Sequence, residues 1–91
     1  MSLYQVQKLL FTLARDEAAQ RRYESEREAV LAQFELTPQE CRAFRENDVG
    51  ELYAMGVNPL LLIAFGARAG LAWPQHIEAL RRAEPRRKAQ G

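Results

Sequence analysis

An all-α fold, a compact orthogonal bundle of five or six short helices, is predicted by three observations. Between Leu36 and Ile63 the chain writes three helix starts and two helix stops into LTPQECRAFRENDVGELYAMGVNPLLLI. Elsewhere apolar residues recur at three- and four-residue spacing, which lines one face of a helix. No stretch alternates apolar and polar residues for long enough to make a half-buried strand.

The elements follow in order. Ser2 and Gln5 are placed to cap a first helix whose Val6, Leu9, Leu10 and Leu13 share a face as far as Arg15. Asp16 is a cap residue, so a break is expected there, with the polar stretch to Glu24 either extending helix one or forming a short helix of its own. Ser25 with Glu28 reads as a second capping box, for a helix reaching about Phe34. Thr37, Pro38 and Glu40 supply cap, first-turn proline and reciprocal carboxylate for the next, which runs to about Glu46. Asp48 and Glu51 repeat the device. Gly56 supplies the left-handed stop, and Asn58-Pro59 opens a helix to about Ala69 that starts apolar all round. Gly70 ends it and Trp73-Pro74 opens the last helix, in which Ile77, Ala79 and Leu80 pack. After Pro85 the apolar period is lost, so residues 83–91 are expected to be a basic, disordered tail behind a folded domain at residues 4–82.

Ninety-one residues suffice for one domain with one modest core. The net charge of +1 is unevenly spread: residues 1–80 carry 8 Lys and Arg against 11 Asp and Glu, and residues 81–91 carry 5 against 1. An acidic body has no basic stripe for nucleic acid, which leaves only Arg81, Arg82, Arg86, Arg87 and Lys88 for such a contact. The single cysteine, Cys41, forms no intrachain disulfide, and no apolar run approaches the length of a membrane span. The start MSLYQVQK has no apolar secretion core, so the expected compartment is the cytoplasm.

Self-contained chemistry is hard to build from these residues. One His, His76, and one Cys, Cys41, on separate helices make neither a metal set nor a Cys-His pair; they read as a solvent-facing or capping imidazole and a small buried hydrophobe. Glycines 50, 56, 66 and 70 read as helix stops and close-packing positions, since they do not form a phosphate loop. The acids at 24, 26 and 28, and at 46 and 48, sit where caps and wet helix faces place acids, without a pocket to raise a pKa. Tyr4, Phe11, Tyr23, Phe34, Phe44, Tyr53 and Phe65 read as core aromatics. Trp73 stands between a glycine stop and a proline, with core packing the simpler reading and a projecting contact the other. The first turns of the Pro59 helix are too apolar for a lone small domain, which points to a second protein covering them.

The same segment carries a resemblance. L-T-P-x-E at Leu36–Glu40, the acid Asp48, then L-Y-x-x-G-x-N-P-L-L-L-I from Leu52 to Ile63 resemble the LigA-like family, the small helical α subunits of protocatechuate 4,5-dioxygenase-type extradiol ring-cleavage enzymes. Tyr4, the Leu9–Leu13 cluster, Arg22-Tyr23 and Leu31 agree with it, so roughly residues 4–73 are covered. The resemblance implies a non-catalytic subunit, or a stand-alone homologue of one, packing over a larger catalytic subunit whose two histidines and one carboxylate hold Fe(II). On this chain it implies partner contacts at Asn58, Leu60, Leu61 and Phe65 and a substrate-pocket contact at Trp73, with no catalytic or metal-binding residue. The alternative is a stand-alone helical module that binds a protein or peptide, or a second copy of itself, through the same face.

Overall fold

In the computed structural model, which describes residues 2–90 and the side chains of residues 3–89, seven helices follow one another. They are α1 (Ser2–Arg15), α2 (Glu17–Ser25), α3 (Arg27–Ala32), α4 (Pro38–Arg45), α5 (Val49–Ala54), α6 (Pro59–Arg68) and α7 (Trp73–Gln90). No strand occurs among the described residues. The all-α class is as the sequence predicts, and the count exceeds five or six because the polar stretch after Asp16 forms its own helix. The Asp16 carboxylate accepts from the Ala18 and Ala19 N–H groups and closes the first turn of α2.

Most of the expected punctuation is realised. Thr37 and Glu40 form a complete capping box, with the Thr37 hydroxyl accepting from the Glu40 N–H at 3.1 Å and the Glu40 carboxylate from the Thr37 N–H at 2.8 Å. Asp48 accepts from the Glu51 N–H at 3.0 Å. The Asp48 N–H, however, donates to the Ala43 carbonyl, so the box there is half made and the Glu51 carboxylate turns to Gln39 and Arg86. Gly56 at φ 108° and Gly70 at φ 87° take the left-handed region that stops α5 and α6. The Ser25 box fails: the Ser25 hydroxyl donates back to the Arg21 carbonyl, and Glu26, at φ −136° and without a side-chain cap bond, separates α2 from α3. The capping role expected of Ser2 falls on a side chain outside the described residues.

Val6, Leu9, Leu10 and Leu13 of α1 meet Leu31, Phe44, Val49, Leu52 and Leu62 in one core. Phe44 and Phe65 cross edge to face there, with ring centroids 5.5 Å apart. Tyr4 and Phe11, expected in this core, are exposed. They lie one heptad apart on the face of α1 turned away from the core residues, and the Arg15 guanidinium covers the Phe11 ring at 4.8 Å.

The largest departure is α7. The expectation of a disordered basic tail at residues 83–91 is overturned as far as Gln90, because the helix continues through Pro85 and packs along α5. Ala83 is buried, and the Tyr53 hydroxyl donates to Glu84 at 2.8 Å. The Arg87 guanidinium donates to the Tyr53 and Val57 carbonyls at 2.8 and 2.7 Å and stacks over the Tyr53 ring at 4.3 Å. The Tyr53 carbonyl in the last turn of α5, which also accepts from the Gly56 N–H at 3.0 Å, and the Val57 carbonyl just beyond the helix are thus tied to α7 by one side chain. Arg86 reaches Glu51 at 2.6 Å, and with Gln39 it holds that carboxyl below its usual range. The basic residues are side-chain ties to α5, invisible to a search for apolar periodicity. The radius of gyration, 12.4 Å, matches the roughly 12 Å of a compact chain of this length, as a packed α7 requires.

Replacing Arg87 with Met is expected to lower stability by about 2 kcal/mol, the scale of two charge-assisted hydrogen bonds and a stacked cation. Urea unfolding checks it; an unchanged midpoint would return the tail to the solvent.

Candidate functional site

The site is the outer surface where α6 meets the start of α7. Asn58 fixes the entry to α6: its side chain accepts from the Leu60 N–H at 2.9 Å while its own N–H donates to Gln7 of α1 at 2.9 Å. Pro59 occupies the first turn, where its missing donor costs nothing. Helical spacing then divides the apolar run between two sides. Leu62, Phe65 and Gly66 turn inward, while Pro59, Leu60, Ile63 and Ala67 turn to solvent. Leu60 is 72% exposed and Ile63 41%.

Helix α7 begins after a short turn from Gly70. The Ala72 N–H donates to the Gln75 side chain at 3.1 Å, and the His76 N–H to the Ala72 carbonyl at 2.9 Å. This aims His76 at α6, where a Cβ built on Gly66 would stand 2.5 Å from Nδ1. Glycine is required because the two helices touch there without room for a methyl group. The His76 ring is 2% exposed, and Nε2 is enclosed without a hydrogen-bond partner. Burial pushes its pKa below the ordinary 6.5, so the imidazole is held neutral. Trp73 stacks on it with centroids 5.4 Å apart and planes at 8°, leaving the indole 58% exposed. Ile77, one turn on, is exposed as well.

Leu60 and Ile63 on α6 and Trp73 and Ile77 on α7 thus flank the Gly66–His76 contact with large apolar side chains in water. Such clusters mark interaction surfaces more often than isolated exposed residues do. Of the residues the sequence singled out, Leu60 and Trp73 are surface side chains and Leu61 is half-buried against the core. Asn58 is exposed, with its side-chain oxygen committed to the cap. Phe65 is a correction: it is 6% exposed and packed on Phe44, because its position on α6 faces the core, so it does not belong to the outer face that Leu60 and Ile63 present. His76 is a second, buried and not solvent-facing. For Trp73 the structure takes the projecting alternative, since the imidazole fills the inward position. Ile77, expected to pack, is a further correction at 43% exposed, and Ile63 lies in the apolar first turns expected to meet a second protein without having been singled out there. The three-residue step from Leu60 to Ile63 and the four-residue step from Trp73 to Ile77 were the available signals.

The acids that invited a catalytic reading are engaged elsewhere. Glu24 pairs with Arg68, Glu28 with Arg45, and Glu26 with Arg22. The Arg45 fork holds the Glu28 carboxyl below its usual range, and Arg81 with Arg82 do the same to Glu78. Among the described residues no three His, Cys, Asp or Glu side chains converge. No helix among them is long and apolar enough to cross a membrane.

A family model described as the LigA subunit of the aromatic-ring-opening dioxygenase LigAB matches residues 6–86. Comparison with curated proteins and with solved structures gives no match.

Because His76 is held neutral in the folded chain, the unfolded chain takes up the proton first as pH falls below about 6.5. Stability is therefore expected to decline as pH drops from 7 through that value, above the range where carboxylates titrate, and His76→Phe is expected to flatten the decline. Urea unfolding at pH 7.5, 6.5 and 5.5 measures it.

Proposed function

This chain belongs to the LigA family, the LigA subunits of LigAB aromatic-ring-opening dioxygenases, and on that footing we propose that it is a non-catalytic small subunit that seats its α6–α7 face on a larger catalytic subunit. The observation that carries this reading is the exposed set Leu60, Ile63, Trp73 and Ile77 on two helices locked together by the Gly66–His76 contact. A rigid apolar face loses little entropy when covered, and a protruding Trp is the residue type most often found at the energetic centre of an interface. A standard interface takes about 800 Å2 from each partner. The chain exposes 5733 Å2 in all, so one face is ample.

In this arrangement Fe(II) and its ligands belong to the catalytic subunit. The small subunit contributes a dry wall: covering Leu60, Ile63, Trp73 and Ile77 removes water from the partner's surface, and Trp73 closes on the mouth of the partner's aromatic pocket. Excluding water there strengthens every polar contact that the pocket makes to its substrate. A Trp held flat against a neutral, buried imidazole keeps its orientation before docking, so the face needs no rearrangement to bind.

Mixing the purified chain with the extradiol catalytic subunit encoded beside it is expected to give a stable complex with faster ring opening. Trp73→Ala is expected to weaken the complex roughly thirtyfold, about 2 kcal/mol, and Leu60→Asp by at least as much, both without loss of helicity. Calorimetric titration and a ring-opening assay measure these effects. Absence of a complex, or a complex indifferent to both substitutions, would overturn the assignment.

A further inference from the structure

A recess of about 290 Å3 opens between α1, α2, α3 and α6, away from the exposed set of the docking face. Leu13 and Phe65, both buried, and half-buried Tyr23 give it an apolar floor, while Arg27, Arg68 and Glu24 stand among its lining residues as the charged groups. An engineered apolar cavity of about 150 Å3 accommodates benzene. Twice that volume holds one ring with a charged substituent.

The charges decide which substituent. Two guanidinium groups against one carboxylate leave the recess net positive. The Arg68 Nη2 already holds a carboxylate, that of Glu24, at 2.8 Å, and the pair is solvent-exposed, so an incoming carboxylate can replace it at little cost. Arg27 makes no ion pair among the described residues and lies over the Tyr23 ring at 5.9 Å, half-buried beside the apolar floor. A planar guanidinium in that position is suited to a forked bond with a carboxylate.

We propose that this recess binds a small carboxylate carrying a single apolar ring, with Arg27 and Arg68 taking the carboxylate and Leu13, Tyr23 and Phe65 taking the ring. Glu24 is the internal competitor: it occupies the anion position on Arg68 when the recess is empty. The site uses none of the exposed docking residues and is independent of the subunit role.

The test is an amide NMR titration of the full chain with benzoate, against benzyl alcohol and acetate as probes lacking the charge or the ring. Benzoate is expected to give saturable shifts at Tyr23, Asn47, Arg68 and Ala69 below about 20 mM, with the two controls giving none there. Arg27→Gln is expected to raise the midpoint about tenfold, the scale of one charge-assisted bond. Glu24→Gln is expected to lower it about threefold by removing the competitor. Both positions lie outside the core, and unchanged shifts across the core amides confirm that each variant is folded. Absence of saturable shifts with benzoate, equal response to benzyl alcohol, or a Glu24→Gln midpoint at or above that of the parent chain would each overturn the proposal.

Discussion

Everything about the surface of this molecule follows from how α7 is seated. At its start His76 enters the space that Gly66 leaves on α6, and toward its end Arg87 binds the carbonyls of Tyr53 and Val57. Between the two, the helix lies along α5, where Gly50 lets the Ala79 carbonyl come within 3.0 Å of the place a Cβ would take. Two glycines and one arginine therefore set its angle and depth. With that angle given, Trp73 and Ile77 face outward beside the free side of α6.

Most of the helices are short, and two, α3 and α5, have only six residues. Isolated helices of that length do not persist in water, because nucleation costs more than so few hydrogen bonds return. Their ends carry an unusual share of the structure. Asp16, Thr37 with Glu40, Asp48 and Asn58 each satisfy backbone donors at a helix start, and Asn58 ties its own N–H to α1 as well. Each cap fixes the direction in which the next helix leaves, and the directions together bring Phe44 onto Phe65 and α1 onto α6.

The apolar run of α6 shows how one stretch of sequence serves two purposes. Leu62 and Phe65 complete the core, which leaves Leu60 and Ile63 on the outer side of the helix with much of their apolar surface in water. Exposed apolar area of this kind gives up roughly 25 cal/mol for each Å2 covered, so it favours association without any charged contact. The buried ring of His76 belongs to the same economy of space. Its unpartnered Nε2 is a polar loss inside the seam, tolerated where a flat ring is needed both to fill the gap at Gly66 and to support the indole.

Helix class, helix starts and helix stops were legible in the residue order, because caps, prolines and left-handed glycines act within four residues of themselves. The family resemblance was legible for the same reason, being made of those signals at fixed spacing. What a residue meets across the fold was not. The apolar period says that Phe65, Leu60 and Ile77 sit on helices, but which side is wet depends on where α1 and α5 lie, and no local rule contains that. The Ser25 cap lost to a back-bond within its own helix, and the basic tail became ordered through ties to residues about thirty positions earlier. Sequence alone determined the elements and the poverty of catalytic side chains, since both are properties of local order and composition. Tertiary packing alone decided that His76 is buried, that Trp73 projects and that residues 83–90 are a working part of α7, since each rests on contacts between segments far apart in the chain.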